Sequence, residues 1–220
     1  ASPHARARNQ EAKSQGRDIL IHMPMQPVSA VKIEDGGLHL GMSSAQVNER
    51  VNTAKNIVNY AIGMNNHMGS AATADPQLMT YLMTALQEKH LFFLDSRTIG
   101  KSVAGKIAKE QGVRSLDRHI FLDDSNELAE VQHQFQAAIQ YARKHGTAIA
   151  IGHPRPNTIA VLQAGINNLP EDIQLVGMGN LWRNEKVIPP KPFILLFTEM
   201  PAPTSMEPFE PVGLLRGIPK

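Results

Sequence analysis

Three histidines stand next to short apolar runs and small polar residues, and they are where this chain could do chemistry. His22 follows Ile19-Leu20-Ile21, His67 lies in Asn65-Asn66-His67-Met68-Gly69-Ser70, and His153 lies in Ile151-Gly152-His153-Pro154-Arg155-Pro156. Neutral imidazole suits zinc and similar divalent ions, and a catalytic zinc usually keeps three protein ligands and a water. His22 and His67 are the candidate metal ligands; each alone could equally be a histidine hydrogen-bonded at a strand end. His153, in a loop stiffened by two prolines, suits a general acid with a pKa near working pH. Its alternative is a structural histidine in a tight turn. Asp95 could orient a histidine, accept a substrate hydroxyl, or cap its turn with Ser96. Asn65 and Asn66 could donate hydrogen bonds to a sugar or simply form the turn. Asp123-Asp124 leads into Ser125-Asn126-Glu127, so at least one of the pair reads as a helix cap. His4, His39, His90, His119, His133 and His145 lack such placement and read as structural or solvated. Met23, Met25 and Met68 flank the site and could line an apolar pocket for a methyl group.

The elements that must position these residues alternate between strand and helix. Ile19–Ile21, Ala61–Met64, Leu91–Leu94, His119–Leu122, Ala148–Ile151 and Ile173–Val176 read as buried strands. Between them, Ser43 opens a helix with Gln46 three residues on, the pattern of a capping box. Asp75-Pro76 opens the next helix, and helices follow near Ser102–Gln111, over Glu127–His145 and over Thr158–Asn168. Apolar strands separated by amphipathic helices argue a mainly parallel sheet covered on both faces. In such folds ligands bind beyond the carboxyl ends of the strands, which is where the polar motifs fall.

Composition narrows the field. With 220 residues, 42% of them hydrophobic, the chain can bury a full core. A net charge of +2 gives no non-specific nucleic-acid footprint. Cysteine is absent, which removes disulfides and thiolate zinc sites. The longest apolar run, Phe193–Phe197, is too short to cross a bilayer, and no secretory leader opens the sequence. Residues 1–188 read as the α/β domain, and 189–220 as a proline-rich tail in which only the Phe193–Phe197 run is apolar enough to pack.

The motifs around His22, His67, Asp95, Asp123 and His153, taken in order, resemble the divergent polysaccharide deacetylases, the YibQ-like branch of the chitooligosaccharide-deacetylase superfamily. The likeness spans roughly residues 16–181. It implies a deformed (β/α) barrel, a divalent metal, zinc by preference, and a periplasmic or envelope location. By position, the resemblance makes His22 a metal ligand and His67 the additional one. It makes His153 the acid that protonates the leaving amine, and Asp95 the acidic residue that supports His153. Gln26 stands where well-characterised deacetylases of the superfamily carry a second metal histidine four residues after the first. The Asp-Asp pair of the family's first strand has no counterpart before His22; the polar stretch there reads as the tail of a helix. The expectation is that an N-terminal piece bearing that strand belongs to the natural protein.

Two function classes follow. One is a hydrolase that removes N-acetyl or similar acyl groups from an envelope carbohydrate. The other is a non-catalytic envelope protein that binds glycan or protein on the same fold. A phosphoesterase is a weaker third reading: the strand ends show no glycine-rich phosphate cradle or arginine cluster, and Arg97 and Arg155 are what keep it open.

Overall fold

Helix α1 (Ala5–Ser14) turns at Gly16, whose φ is +65°, into strand β1 (Leu20–Met25), and a long connection follows. The computed structural model describes residues 4–185; the proline-rich tail, with its Phe193–Phe197 run, lies outside the described residues. Helix α2 (Ser44–Ile57) starts where the capping box predicts, with the Ser43 hydroxyl accepting from the Gln46 N–H and the Gln46 side chain accepting from the Ser43 N–H. Strand β2 (Gly63–Met68), a 3₁₀ turn (Ala72–Ala74) and helix α3 (Pro76–Gln87) come next, α3 being capped by Asp75 with Pro76 in its first turn. Then come β3 (Phe92–Asp95), α4 (Ala104–Glu110), β4 (Ser115–Asp117), β5 (Ile120–Phe121) and α5 (Leu128–His145). Gly146 ends α5 at φ +81°. Strand β6 (Ala150–Ile151) and helices α6 (Pro156–Ile166) and α7 (Met178–Arg183) complete the described chain.

All strand pairings among the described residues are parallel. One sheet has the order β1-β2-β3-β4, and β5 pairs with β6 in a second. Backbone bonds from Arg118 to the Asp95 carbonyl and from His119 to the Ile149 carbonyl carry the chain from one sheet to the other. The expected fold class holds: α/β, with a parallel sheet and flanking helices. Strand order follows chain order, as in a (β/α) barrel. Among the described residues, β1 pairs along its length only with β2, and its other edge meets a single bridge, Met25 to Leu38.

Strand alternation sorts the side chains onto two faces. On one, Ile21, Met23, Met25, Met64 and Phe93 pack against Val47 and Val51 of α2, Leu78, Leu82 and Leu86 of α3, and Ile107 of α4. On the other, Phe92 and Leu94 cluster with Leu20, Leu116, Ile149 and Ile151, and α7 covers them with Met178, Leu181 and Trp182. The rings of Phe92 and Trp182 stack 5.5 Å apart. Gly63 sits opposite Phe92, and a Cβ there would lie 2.6 Å from the Phe92 ring, so the ring occupies the space a side chain would need.

Several boundaries differ from the sequence expectation. β1 and β2 run past their apolar stretches, so His22, Asn65, Asn66 and His67 lie within strands, not after them. Backbone pairing with a neighbour extends a strand through residues whose side chains are polar. β4 is an unexpected strand, and Ile173–Val176 is not a strand: Leu175 is 67% exposed and no neighbour pairs with it. Met23 and Met25 lie in the helix-side core, and of the two Met23 also borders the cleft that holds His22 and His67.

Candidate active site

Register builds the centre of the site. β1 places His22 beside Asn65 and Pro24 beside His67, and alternation puts His22, Asn65 and His67 on one face. His22 Nδ1 lies 3.1 Å from Asn65 Oδ1, and His22 Nε2 lies 3.1 Å from His67 Nδ1. The Asn65 amide is oriented by its own Nδ2, which donates to Ser96 Oγ at 3.3 Å, so Oδ1 accepts. His22 therefore carries its hydrogen on Nδ1 and directs the Nε2 lone pair at His67. On the far side of His67, Nε2 stands 3.7 Å from Glu34 Oε1.

This arrangement bears on an ion. Two nitrogens, each about 2.0–2.1 Å from a tetrahedral zinc, stand about 3.3 Å apart. The facing nitrogens of His22 and His67, 3.1 Å apart, fit two adjacent positions of one such ion. Metal-bound histidines usually donate their remaining N–H to an oxygen, which Asn65 accepts for His22. Among the described residues no group of three His, Asp or Glu side chains is placed to hold a metal, so the pair supplies two positions and not a full set. His22 is held below the ordinary imidazole range. Desolvation by the surrounding protein is the main cause; the Asn65 bond opposes it, the charges of His67 and His153 add to it, and Glu34 opposes it.

Asn66 faces the other way. Alternation turns it to the helix side, where it is 1% exposed, and its amide donates to the Met68 carbonyl at 2.7 Å and accepts from the Ser96 N–H at 2.8 Å. The Ser96 hydroxyl donates to the Asn66 carbonyl. The two asparagines expected to meet a sugar together are thus on opposite faces, with their amide nitrogens both donating inside the protein.

His153 forms the second centre, and its carboxylate comes from Asp123. His153 Nδ1 lies 3.0 Å from Asp123 Oδ1, while the His153 backbone N–H and the Thr158 hydroxyl donate to Asp123 Oδ2 at 2.7 and 2.9 Å. Asp123 is fully buried, whereas His153 is 39% exposed, so the pair has a closed end and an open one. Burial pushes the Asp123 carboxyl up, but the bonds from the His153 N–H, the Thr158 hydroxyl and the His153 ring outweigh it and hold the acid below its ordinary range. With Nδ1–H directed at a carboxylate, His153 Nε2 is the nitrogen left to exchange a proton. Asp95, expected to support His153, instead stabilises its own turn. It is fully buried and accepts from the Arg97 N–H at 2.7 Å and from the Ser102 hydroxyl at 2.5 Å. Asp123 is not the helix cap that its Asp-Asp-Ser-Asn setting suggests, because α5 begins later, after Glu127.

Comparison with known proteins now adds to this geometry. The profile of the divergent polysaccharide deacetylases matches residues 1–182. The chain belongs to that family. An uncharacterized protein of Haemophilus influenzae is 92% identical over all 220 residues, which make up 79% of that protein. An uncharacterized Escherichia coli protein, YibQ, is 44% identical over 193 residues, 86% of this chain and 60% of YibQ. A crystal structure of an uncharacterized Agrobacterium tumefaciens protein superposes with a TM-score of 0.66 at 21% identity, covering 70% of this chain and 64% of that one, and so supports the fold.

Within this deacetylase family member, sequence reasoning missed three contributors. Asp123 was legible only as a cap, because its burial is set by Thr158, 35 residues later. Ser96 was read as a turn residue, and nothing in its neighbours signals that it joins Asn65 to Asn66. Glu34 lies in a segment with no periodicity at all. Gln26, where the resemblance led one to look for a second histidine, holds the backbone instead: its side-chain oxygen accepts from the Leu40 N–H at 2.9 Å.

Proposed function

We propose that this chain forms the body of a metal-dependent hydrolase that removes an N-acetyl or similar acyl group from an envelope carbohydrate. The observation that carries the proposal is the pair of facing imidazole nitrogens, 3.1 Å apart, on the same sheet face as an oriented His22 lone pair. In this reading His22 and His67 hold a divalent ion, zinc by preference. When bound, such an ion supplies Lewis acidity to the amide carbonyl and to a water. The chain's own contribution is proton transfer and positioning. His153, its Nδ1–H held by Asp123, gives a proton from Nε2 to the amine nitrogen as the carbon–nitrogen bond breaks. The buried Asp123 charge stabilises the imidazolium before that transfer and fixes the ring's orientation.

The carboxylates of the family's first strand have a place in this proposal. A cleft of about 870 Å³ runs along the edge of β1, from Asp18 to Pro24, that no described strand pairs with, lies between α1 and α2, and reaches His22 and His67. Its walls include Ala12, Ile19, Ala54, Ile57 and Val58. An extended segment seated there would pair with the β1 backbone and bring its end to the histidines. An envelope location follows the family resemblance in the same reading.

The first test is bound metal per chain, by elemental analysis after zinc loading and removal of excess, for the protein and for His67→Ala. Zinc held by the protein and lost in the variant, together with release of acetate from acetylated chito-oligosaccharides, is the expected result. One observation favours the second reading, a protein that binds glycan without cleaving it: the described residues offer two metal positions and no third ligand. Glycan binding without zinc or acetate release, in both this chain and an N-terminally extended version, would establish that reading instead.

A further inference from the structure

The connection between β1 and α2 is firmly seated, though it has no regular structure. The Leu38 N–H donates to the Pro24 carbonyl at 2.8 Å, and the Gln26 N–H donates to the Leu38 carbonyl at 2.9 Å. Gln26 also holds the next residues through its side chain and the Leu40 N–H. Ile33 and Leu38 are 5% and 0% exposed, so two apolar side chains pin the segment on either side of a turn. The turn closes from the Gly37 N–H to the Glu34 carbonyl, with Gly36 at φ +89°. A Cβ at Gly37 would stand 2.5 Å from Ile33 Cδ1 and 2.9 Å from the Pro24 carbonyl, so the turn lies directly on the end of β1.

That seating is what brings Glu34 to the site. Its carboxylate stands 3.7 Å from His67 Nε2, an ion-pair distance, and it lines the same cleft as both histidines. His67 meets it with the nitrogen that does not face His22. The two imidazoles thus have unlike outer neighbours, a neutral amide for His22 and a carboxylate for His67. A carboxylate that accepts the outer N–H of an imidazole fixes the ring and its tautomer and makes the inner nitrogen a better donor to a cation; Glu34, just beyond hydrogen-bond length, needs only a small side-chain movement to do so.

We infer that Glu34 is a positioning residue of the His22–His67 pair: it holds His67 with Nδ1 turned inward and offsets the charge of a divalent cation bound there. This rests on the reading that the pair holds such a cation. Glu34 acts through His67, and the loop anchored by Gln26 carries it.

The test is Co²⁺ binding by the whole chain, followed by visible absorption and by competition with Zn²⁺, for the protein and for Glu34→Gln, Glu34→Asp, Asp35→Asn and His67→Ala. Glu34→Gln is expected to weaken affinity about 10–100-fold, the usual effect of removing an outer partner, with an unchanged melting temperature in the metal-free state. Glu34→Asp recovers part of the loss, and Asp35→Asn binds like the parent, which separates a directed contact from general negative charge. If Glu34→Gln binds as tightly as the parent while His67→Ala does not, the assignment of Glu34 fails and the metal reading stands. Equal losses in Glu34→Gln and Asp35→Asn also overturn it. If the parent itself takes up no cobalt, the metal reading fails, and the role of Glu34 fails with it.

Discussion

Asp123 is buried, and its carboxyl stays ionised because hydrogen bonds from the His153 N–H, the Thr158 hydroxyl and the His153 ring favour the anion. The consequence for stability has a definite sign. The folded pKa is depressed, so an unfolded chain takes up this proton first as pH falls. The contribution is therefore complete above the unfolded value, about 3.9, and is lost as pH drops through the folded one. Thr158→Val removes one of the three donors at a site 1% exposed. It should cost about 1.5–3 kcal/mol at pH 7, the range for a hydrogen bond to a charged group, and clearly less at pH 3. Urea unfolding at the two pH values measures both, and an equal loss at each would show that the carboxylate is not what Thr158 supports. At this scale the sequence was legible for residue type but not for partnership. His22, His67 and His153 stood out because polar groups beside apolar runs are informative. That His153 pairs with Asp123 and not Asp95 depends on contacts between residues 30 apart, which no local pattern records.

Elements show a similar division. Helices whose ends carry their own chemistry were readable: Ser43 with Gln46, Asp75 with Pro76, and Gly146 all mark the boundaries observed. β2 was readable only in part, because Gly-Met-Asn-Asn-His-Met shows no apolar alternation and its extended course comes from pairing with β1. β4 was missed for want of length, being three residues long. Strand β2 gives a sharp packing prediction. Gly63→Ala places a methyl 2.6 Å from the Phe92 ring, which is itself fully buried between β2 and Trp182. Overpacking of this kind costs about 1–3 kcal/mol. Thermal unfolding should register the loss, and Gly63→Ala combined with Phe92→Leu should recover part of it; if the single variant melts like the parent, the ring is free to move aside.

At the scale of the molecule, the fold class was legible because apolar strands and amphipathic helices alternate through most of the described chain. The assignment of faces was not, since one register step exchanges every side chain between the helix core and the histidine face. The proposal for β1 makes its prediction here. A version extended before α1 by a strand ending in two aspartates should retain more zinc than the present chain, melt higher, and unfold with a larger urea m-value as more surface becomes buried. Unchanged melting and m-value in that version would mean that the cleft beside β1 does not take a strand.

Trp182 is the chain's only tryptophan, and it lies on Phe92 at the histidine-side cluster of the sheet. Its indole emission is consequently a private reporter of that layer, undiluted by signal from anywhere else in the described fold. Events that loosen α7 from the strands should shift the fluorescence before, or without, any change in the helices on the opposite face. Comparing emission with far-ultraviolet circular dichroism along one denaturation curve would therefore show whether the two layers come apart together.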